Sequence, residues 1–115
     1  MKNAKLVSLV KGQDRKQNII KALGLIGPDL KNIKSADNIL IKPNLTDIKK
    51  QAANTHVDAV EGVIEFIQSH FPGKKITVGE SSGSAYYRRM STEDVFRSFG
   101  YDRLGDKYSN VKLES

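Results

Sequence analysis

Between Asn38 and Gly79 two short β-type segments flank one strongly amphipathic helical segment, and that arrangement leaves few folds open. Asn38-Ile39-Leu40-Ile41-Lys42 is a continuous apolar run that Pro43 ends, because proline cannot donate to a sheet ladder. Lys75-Ile76-Thr77-Val78-Gly79 is the second run. Between them Val57, Val60, Val63, Ile64 and Ile67 recur at helical spacing and form a core stripe. Strand, helix, strand is the unit of a parallel sheet, since parallel neighbours need a crossover.

The rest of the chain extends this pattern. Ala4 to Val10 reads as a first strand rich in branched residues, and Asp14 to Ile26 as a helix that stops at Gly27-Pro28. The unbroken run at 39–41 predicts a strand covered on both faces. Leu45 to Asn54 has neither period and reads as a loop. Thr55-His56-Val57-Asp58 has capping-box form, with the Thr55 hydroxyl expected to accept from the Asp58 amide. Pro72-Gly73 closes the helix, with His70 in its last turn. A second capping-box pattern, Ser91-Thr92-Glu93-Asp94, starts a shorter helix that ends at Gly100, and Val111-Lys112-Leu113 is a last strand. The expected fold is α/β, in two or three layers, with a mostly parallel sheet of about four strands and crossover helices. With 115 residues and no linker, repeat or low-complexity tract, one domain over residues 1–115 is expected.

Composition bounds the chemistry. No cysteine occurs, which excludes disulfides, thiolate nucleophiles and any iron–sulfur or thiolate zinc site held by these residues. No apolar run approaches the roughly 20 residues of a membrane span. The short apolar stretch ending at Val10 has no small-residue cleavage site after it, so a cytoplasmic location is expected. The net charge of +6 is uneven: residues 1–57 carry +7 and residues 58–115 carry −1. A basic half suits an anionic partner, although scattered lysines also serve solubility alone.

Ligands of open α/β sheets bind beyond the carboxyl ends of the strands. Two of these ends are chemically distinctive. Lys42-Pro43-Asn44 offers a cation, a stiff exit and a side-chain amide. Glu80-Ser81-Ser82-Gly83-Ser84 offers a carboxylate followed by small residues whose amides could cradle an anion. Lys42 and Glu80 are the candidates for acid/base work or a substrate clamp; they could equally be a structural ion pair, and the serines plain turn formers. His56 lies beside the same mouth, as a base, a ligand or only a surface histidine at a helix start. Arg88 and Arg89 could clamp a carboxylate or phosphate there. Tyr86-Tyr87-Arg88-Arg89 also mixes aromatics with cations as nucleic-acid binders do, but four residues without a recognised module leave nucleic acid disfavoured.

Three standard chemistries fail. The glycines match neither a Walker loop nor GxGxxG. Gly79-Glu80-Ser81-Ser82-Gly83 fits G-x-S-x-G, but Ser82-Gly83-Ser84 opens a helix poorly and no histidine follows Ser81, so a nucleophile elbow is rejected. His56 and His70 have no acidic partner at ligand spacing, so no metal site is expected.

Ile39-Leu40-Ile41-Lys42-Pro43-Asn44-Leu45, Asn54-Thr55-His56-Val57, Val78-Gly79-Glu80-Ser81-Ser82-Gly83 and Phe96-Arg97-Ser98-Phe99-Gly100-Tyr101, in that order, resemble the family catalogued as domain of unknown function 362. The Ile-Lys-Pro-Asn-Leu block is the most specific. The resemblance implies a longer domain, of which this chain would be the N-terminal portion or a truncated form. It also implies an association with redox or cofactor metabolism, because some members carry ferredoxin-like iron–sulfur modules further along. Without cysteine this chain holds no such cluster, so no cofactor is expected on it. By the resemblance, Lys42, Asn44, Glu80 and Ser81 line the functional mouth. The expected partner is a small anionic ligand, with a homo-oligomer or a further C-terminal segment completing the sheet. The competing expectation is a noncatalytic basic module that docks on an acidic protein or nucleic acid.

Overall fold

In the computed structural model, which describes residues 5–46, 50–81 and 91–115, the elements run α1 (Arg15–Leu25), α2 (Lys31–Ser35), β1 (Asn38–Ile41), α3 (Val57–His70), β2 (Lys75–Gly79), α4 (Thr92–Ser98), α5 (Asp102–Lys107) and β3 (Val111–Glu114). Short 3-10 turns occupy Gly27–Asp29 and Gln51–Ala53. The three strands form one parallel sheet in the order β1-β2-β3, with Ile41 opposite Val78 and Val78 opposite Leu113. The α/β class and the parallel sheet are as the sequence predicts.

Alternation of side chains decides which face is covered. Ile39, Ile41, Ile76, Val78, Val111 and Leu113 all point to one face and meet Val57, Val60, Ile64 and Ile67 of α3, Val95 and Phe96 of α4, Tyr101, and Leu104 of α5. A sheet whose strands follow in sequence order with right-handed crossovers places its helices on the same side. The other face carries Asn38, Leu40, Lys75, Thr77, Gly79, Lys112 and Glu114.

Two sequence expectations are corrected here. β1 is an edge strand with alternating exposure, and Leu40 is 68 % exposed, so it is not covered on both faces. Its unbroken apolar run concealed that alternation. The expected strand at Ala4–Val10 is absent over its described residues 5–10, which pair with nothing in the sheet; Val7 and Leu9 are both 91 % exposed. The sheet therefore has three strands among the described residues rather than about four. Strand composition is local, but a strand needs a partner, and the neighbouring helix leads elsewhere.

That helix, α1, is capped by Asp14, whose carboxylate accepts from the Gln17 amide at 2.9 Å. It packs on α3 at Gly62. A Cβ at position 62 would lie 2.9 Å from the Lys16 carbonyl oxygen and 3.0 Å from Ile19, so only glycine lets the two helices approach this closely. Gly62 lies on the side of α3 turned away from the Val60, Ile64 and Ile67 row, which makes α1 a third layer outside α3.

Candidate functional site

In a parallel sheet all carboxyl ends meet at one edge, and there the backbone of β1 passes into Lys42 and that of β2 into Glu80. The Glu80 side chain is 5 % exposed, so its charge has to be met inside the fold. Three donors do so. Lys42 Nζ lies 3.0 Å from Oε1, the Ser81 amide donates to Oε1 at 2.9 Å, and the Leu45 amide donates to Oε2 at 2.9 Å. The last of these crosses from β2 to the segment after β1, so the carboxylate ties the two strand exits together. Leu45 itself is fully buried.

The Lys42 side chain is 65 % exposed, in contrast to its partner. Asn44 is held through its backbone: its amide donates to Thr55 Oγ1 at 3.0 Å, and its carbonyl accepts from the Thr55 amide at 2.8 Å. Thr46 and Asn54 continue the clamp, the Thr46 amide donating to Asn54 Oδ1 at 2.8 Å. Below it, Tyr101 donates its hydroxyl to the Thr55 carbonyl at 2.6 Å. Burial, and then the nearby Glu80 charge, push the Tyr101 phenol well above its ordinary value, so it keeps the proton it donates.

The cap of α3 is a further correction. The Thr55 hydroxyl is spent on Asn44, and His56 is the N-cap instead: its Nδ1 accepts from the Asp58 amide at 3.0 Å. An Nδ1 that accepts leaves the proton of the neutral ring on Nε2. Asp58 also pairs with Arg103 at 3.2 Å. His70 ends the same helix, with Nδ1 3.1 Å from the Phe66 carbonyl and its ring stacked on Phe66 at 4.2 Å, which is a structural role.

Thus the structure gathers Lys42, Glu80 and Ser81 at one strand edge, with Asn44 clamped to Thr55, the residue before His56. Ser82, Gly83, Ser84, Arg88 and Arg89, with Tyr86 and Tyr87, lie outside the described residues. The Ser81 amide is already directed at Glu80, so it is not turned towards a ligand.

Sequence reasoning passed over a second charged group. Glu61 is 6 % exposed and faces Lys107 at 2.6 Å, the Tyr108 hydroxyl at 3.0 Å and Lys16 at 3.7 Å. Burial opposes its charge, but the hydrogen bonds from Lys107 and Tyr108 outweigh that and hold the carboxyl below its ordinary value. Glu65 pairs with Lys16 at 3.3 Å and in turn holds the lysine above its ordinary value. On a helical wheel Glu61 falls at the border of the apolar stripe, where a charge reads as solvated. Asp14, Lys16, Asp58, Glu61, Arg103 and Lys107 line an open cleft, three anions facing three cations.

Among the described residues no group of three or more His, Cys, Asp or Glu could hold a metal, and no helix is long and apolar enough to cross a membrane. A family model described as "Domain of unknown function (DUF362)" matches residues 39–114. The chain belongs to this family. The match opens within β1 and closes within β3, so the DUF362 region contains the whole Lys42–Glu80 edge, the Thr55 clamp and Tyr101. Comparison with curated proteins and with solved structures finds no match.

Proposed function

We propose that this DUF362 domain binds a small anionic ligand at the carboxyl ends of β1 and β2, with Lys42 as the charge that receives it. The observation that carries the reading is the asymmetry of the Lys42–Glu80 pair. Glu80 is buried and turns both oxygens to backbone amides, whereas the ammonium it positions is 65 % exposed at the strand edge. An ammonium has three donors, and one contact to Glu80 leaves others for a carboxylate or phosphate. Asn44, exposed and fixed through its backbone by Thr55, orients the ligand. Glu80 is the anchor of the mouth, and His56 shapes its rim as the cap of α3. Ser82–Ser84 amides and the Arg88 and Arg89 side chains are assigned to the same ligand on residue type and sequence position alone.

The family resemblance supports a setting in a redox- or cofactor-related enzyme. With no cysteine here, any cluster sits on another segment or subunit.

The test is a thermal-shift panel of phosphate, di- and tricarboxylates and nucleotides on the intact chain. A ligand at a hundred times its Kd adds about 2.7 kcal/mol to stability and so raises Tm by several degrees. Lys42→Ala should abolish the shift, read against the variant's own ligand-free Tm, which falls as well because the buried Glu80 carboxylate loses one of its three donors. A silent panel, or an undiminished shift in Lys42→Ala, refutes the proposal. The competing reading is a basic docking module, favoured by the exposure of Lys5, Lys11, Lys21, Lys31 and Lys34. It predicts binding to polyanions that weakens steeply with salt and is indifferent to Lys42.

A further inference from the structure

Thr55 joins an exposed residue to the core through three hydrogen bonds. Its amide donates to the Asn44 carbonyl at 2.8 Å, its Oγ1 accepts from the Asn44 amide at 3.0 Å, and its carbonyl accepts from the Tyr101 hydroxyl at 2.6 Å. Two of these bonds run outward to Asn44 and the third runs inward. From this chain of contacts we infer that Tyr101 is a positioning residue for the anion mouth, acting through Thr55 on Asn44. The inference rests on the proposal that the mouth binds an anion.

Tyr101 is fully buried, with its ring 5.9 Å from that of Phe96. Phenylalanine would fill nearly the same space, so packing alone does not call for the hydroxyl. Burying a hydroxyl is unfavourable unless a partner meets it, and here the Thr55 carbonyl does. The turn before Tyr101 sets its aim. Gly100 ends α4 with φ +79°, a conformation that side chains rarely adopt, and the Tyr101 amide donates back to the Phe96 carbonyl at 2.8 Å. The ring thus enters the core directly from the end of α4.

Asn44 lies between β1 and α3, where neither a helix nor a sheet ladder holds its backbone. On one side its neighbour Leu45 is anchored by burial and by the Glu80 carboxylate. Thr55 is the anchor on the other side. Without the phenol, Thr55 keeps its bonds to Asn44 but loses this tie to the core, and the pair is free to shift together. A side chain that orients a ligand has to hold its place to within about 0.5 Å, so such a shift is felt in binding.

The experiment compares full-length wild type with Tyr101→Phe, Thr55→Val, Thr55→Ser and Ile64→Val. Inorganic phosphate, succinate, citrate and adenosine monophosphate are the probes, titrated by calorimetry, and amide exchange is followed by NMR on the free chains. Tyr101→Phe and Thr55→Val should each bind the responding probe about fivefold more weakly. Their Asn44 and Thr55 amides should exchange about tenfold faster relative to the amides of β2. Thr55→Ser keeps the hydroxyl and should recover both readouts. Ile64→Val shortens a fully buried side chain of α3 and removes none of these hydrogen bonds, so it should lower Tm and leave both readouts as in wild type. The inference is overturned if Tyr101→Phe binds as tightly as wild type or leaves the two amides protected. It also falls if Ile64→Val weakens binding equally, because the effect is then a general loss of stability. A wild type that binds no probe refutes the anion mouth and the positioning role with it. A wild type that binds, matched by Tyr101→Phe, refutes the positioning role alone.

Discussion

Glu80 shows how one buried charge organises a strand edge. Its carboxylate is the acceptor for the Leu45 and Ser81 amides, so Glu80→Ala removes that acceptor from both, next to a fully buried leucine. Of the two only the Leu45 amide is buried, the exposed Ser81 amide being open to water, and the loss of a buried donor's acceptor is expected to cost about 1–3 kcal/mol in urea denaturation. Glu80→Gln keeps one carbonyl oxygen and should lose less. A cost within experimental error for Glu80→Ala would mean that the carboxylate does not hold the two strand exits together. Half of this arrangement was legible in advance. A lysine after one strand and a glutamate after the next can meet in a parallel sheet, and they do, at 3.0 Å. The support beneath them was not legible. Thr55 looks like a helix cap, and nothing near Tyr101 in the sequence points to Thr55, because a hydroxyl's choice among backbone partners depends on tertiary approach rather than on local spacing.

Among the elements, α1, α3, β1, β2 and β3 could be read from their apolar patterning and α4 from its capping box, which is present at Ser91 and Asp94 as the sequence predicts. α2 and α5 were missed because five or six residues hold little more than one helical turn, too few for an apolar period to repeat. The contact among α1, α3 and α5 was hidden for another reason: it runs through charges. Glu61 has a carboxyl held below its ordinary value, so its ion pairs contribute stability that is fully present above the unfolded carboxyl value of about 4.3. That contribution disappears as pH falls through the lower folded value. Glu61→Gln should accordingly be less stable than wild type near pH 7, by about 1–2 kcal/mol, and the gap should narrow as the pH falls below the ordinary carboxyl range. Tm measured from pH 3 to 7 checks this. A gap that is constant with pH would remove the charge of Glu61 from the account.

For the molecule as a whole, order should be unequal across the layers. β2 is hydrogen-bonded on both sides and buries Ile76 and Val78, whereas α1 has no fully buried residue and rests chiefly on α3. Native-state hydrogen exchange should therefore show β2 amides as the slowest, with α1 amides exchanging about tenfold faster or more through opening of the outer layer. Equal protection of α1 and β2 would mean that the outer helix and the sheet unfold as one unit.

The order β1-β2-β3 also bears on how the chain is made. Each strand takes its place beside the one synthesised before it, so no later segment has to be inserted between strands already paired. During translation β1, α3 and β2 can close as a unit while the residues of β3 are still being added, and β3 then meets an edge that is already formed. Parallel pairing is slow because it joins distant residues. This wiring keeps each joining step as short as a crossover permits, and it limits the time for which a nascent edge stands open to the wrong neighbour.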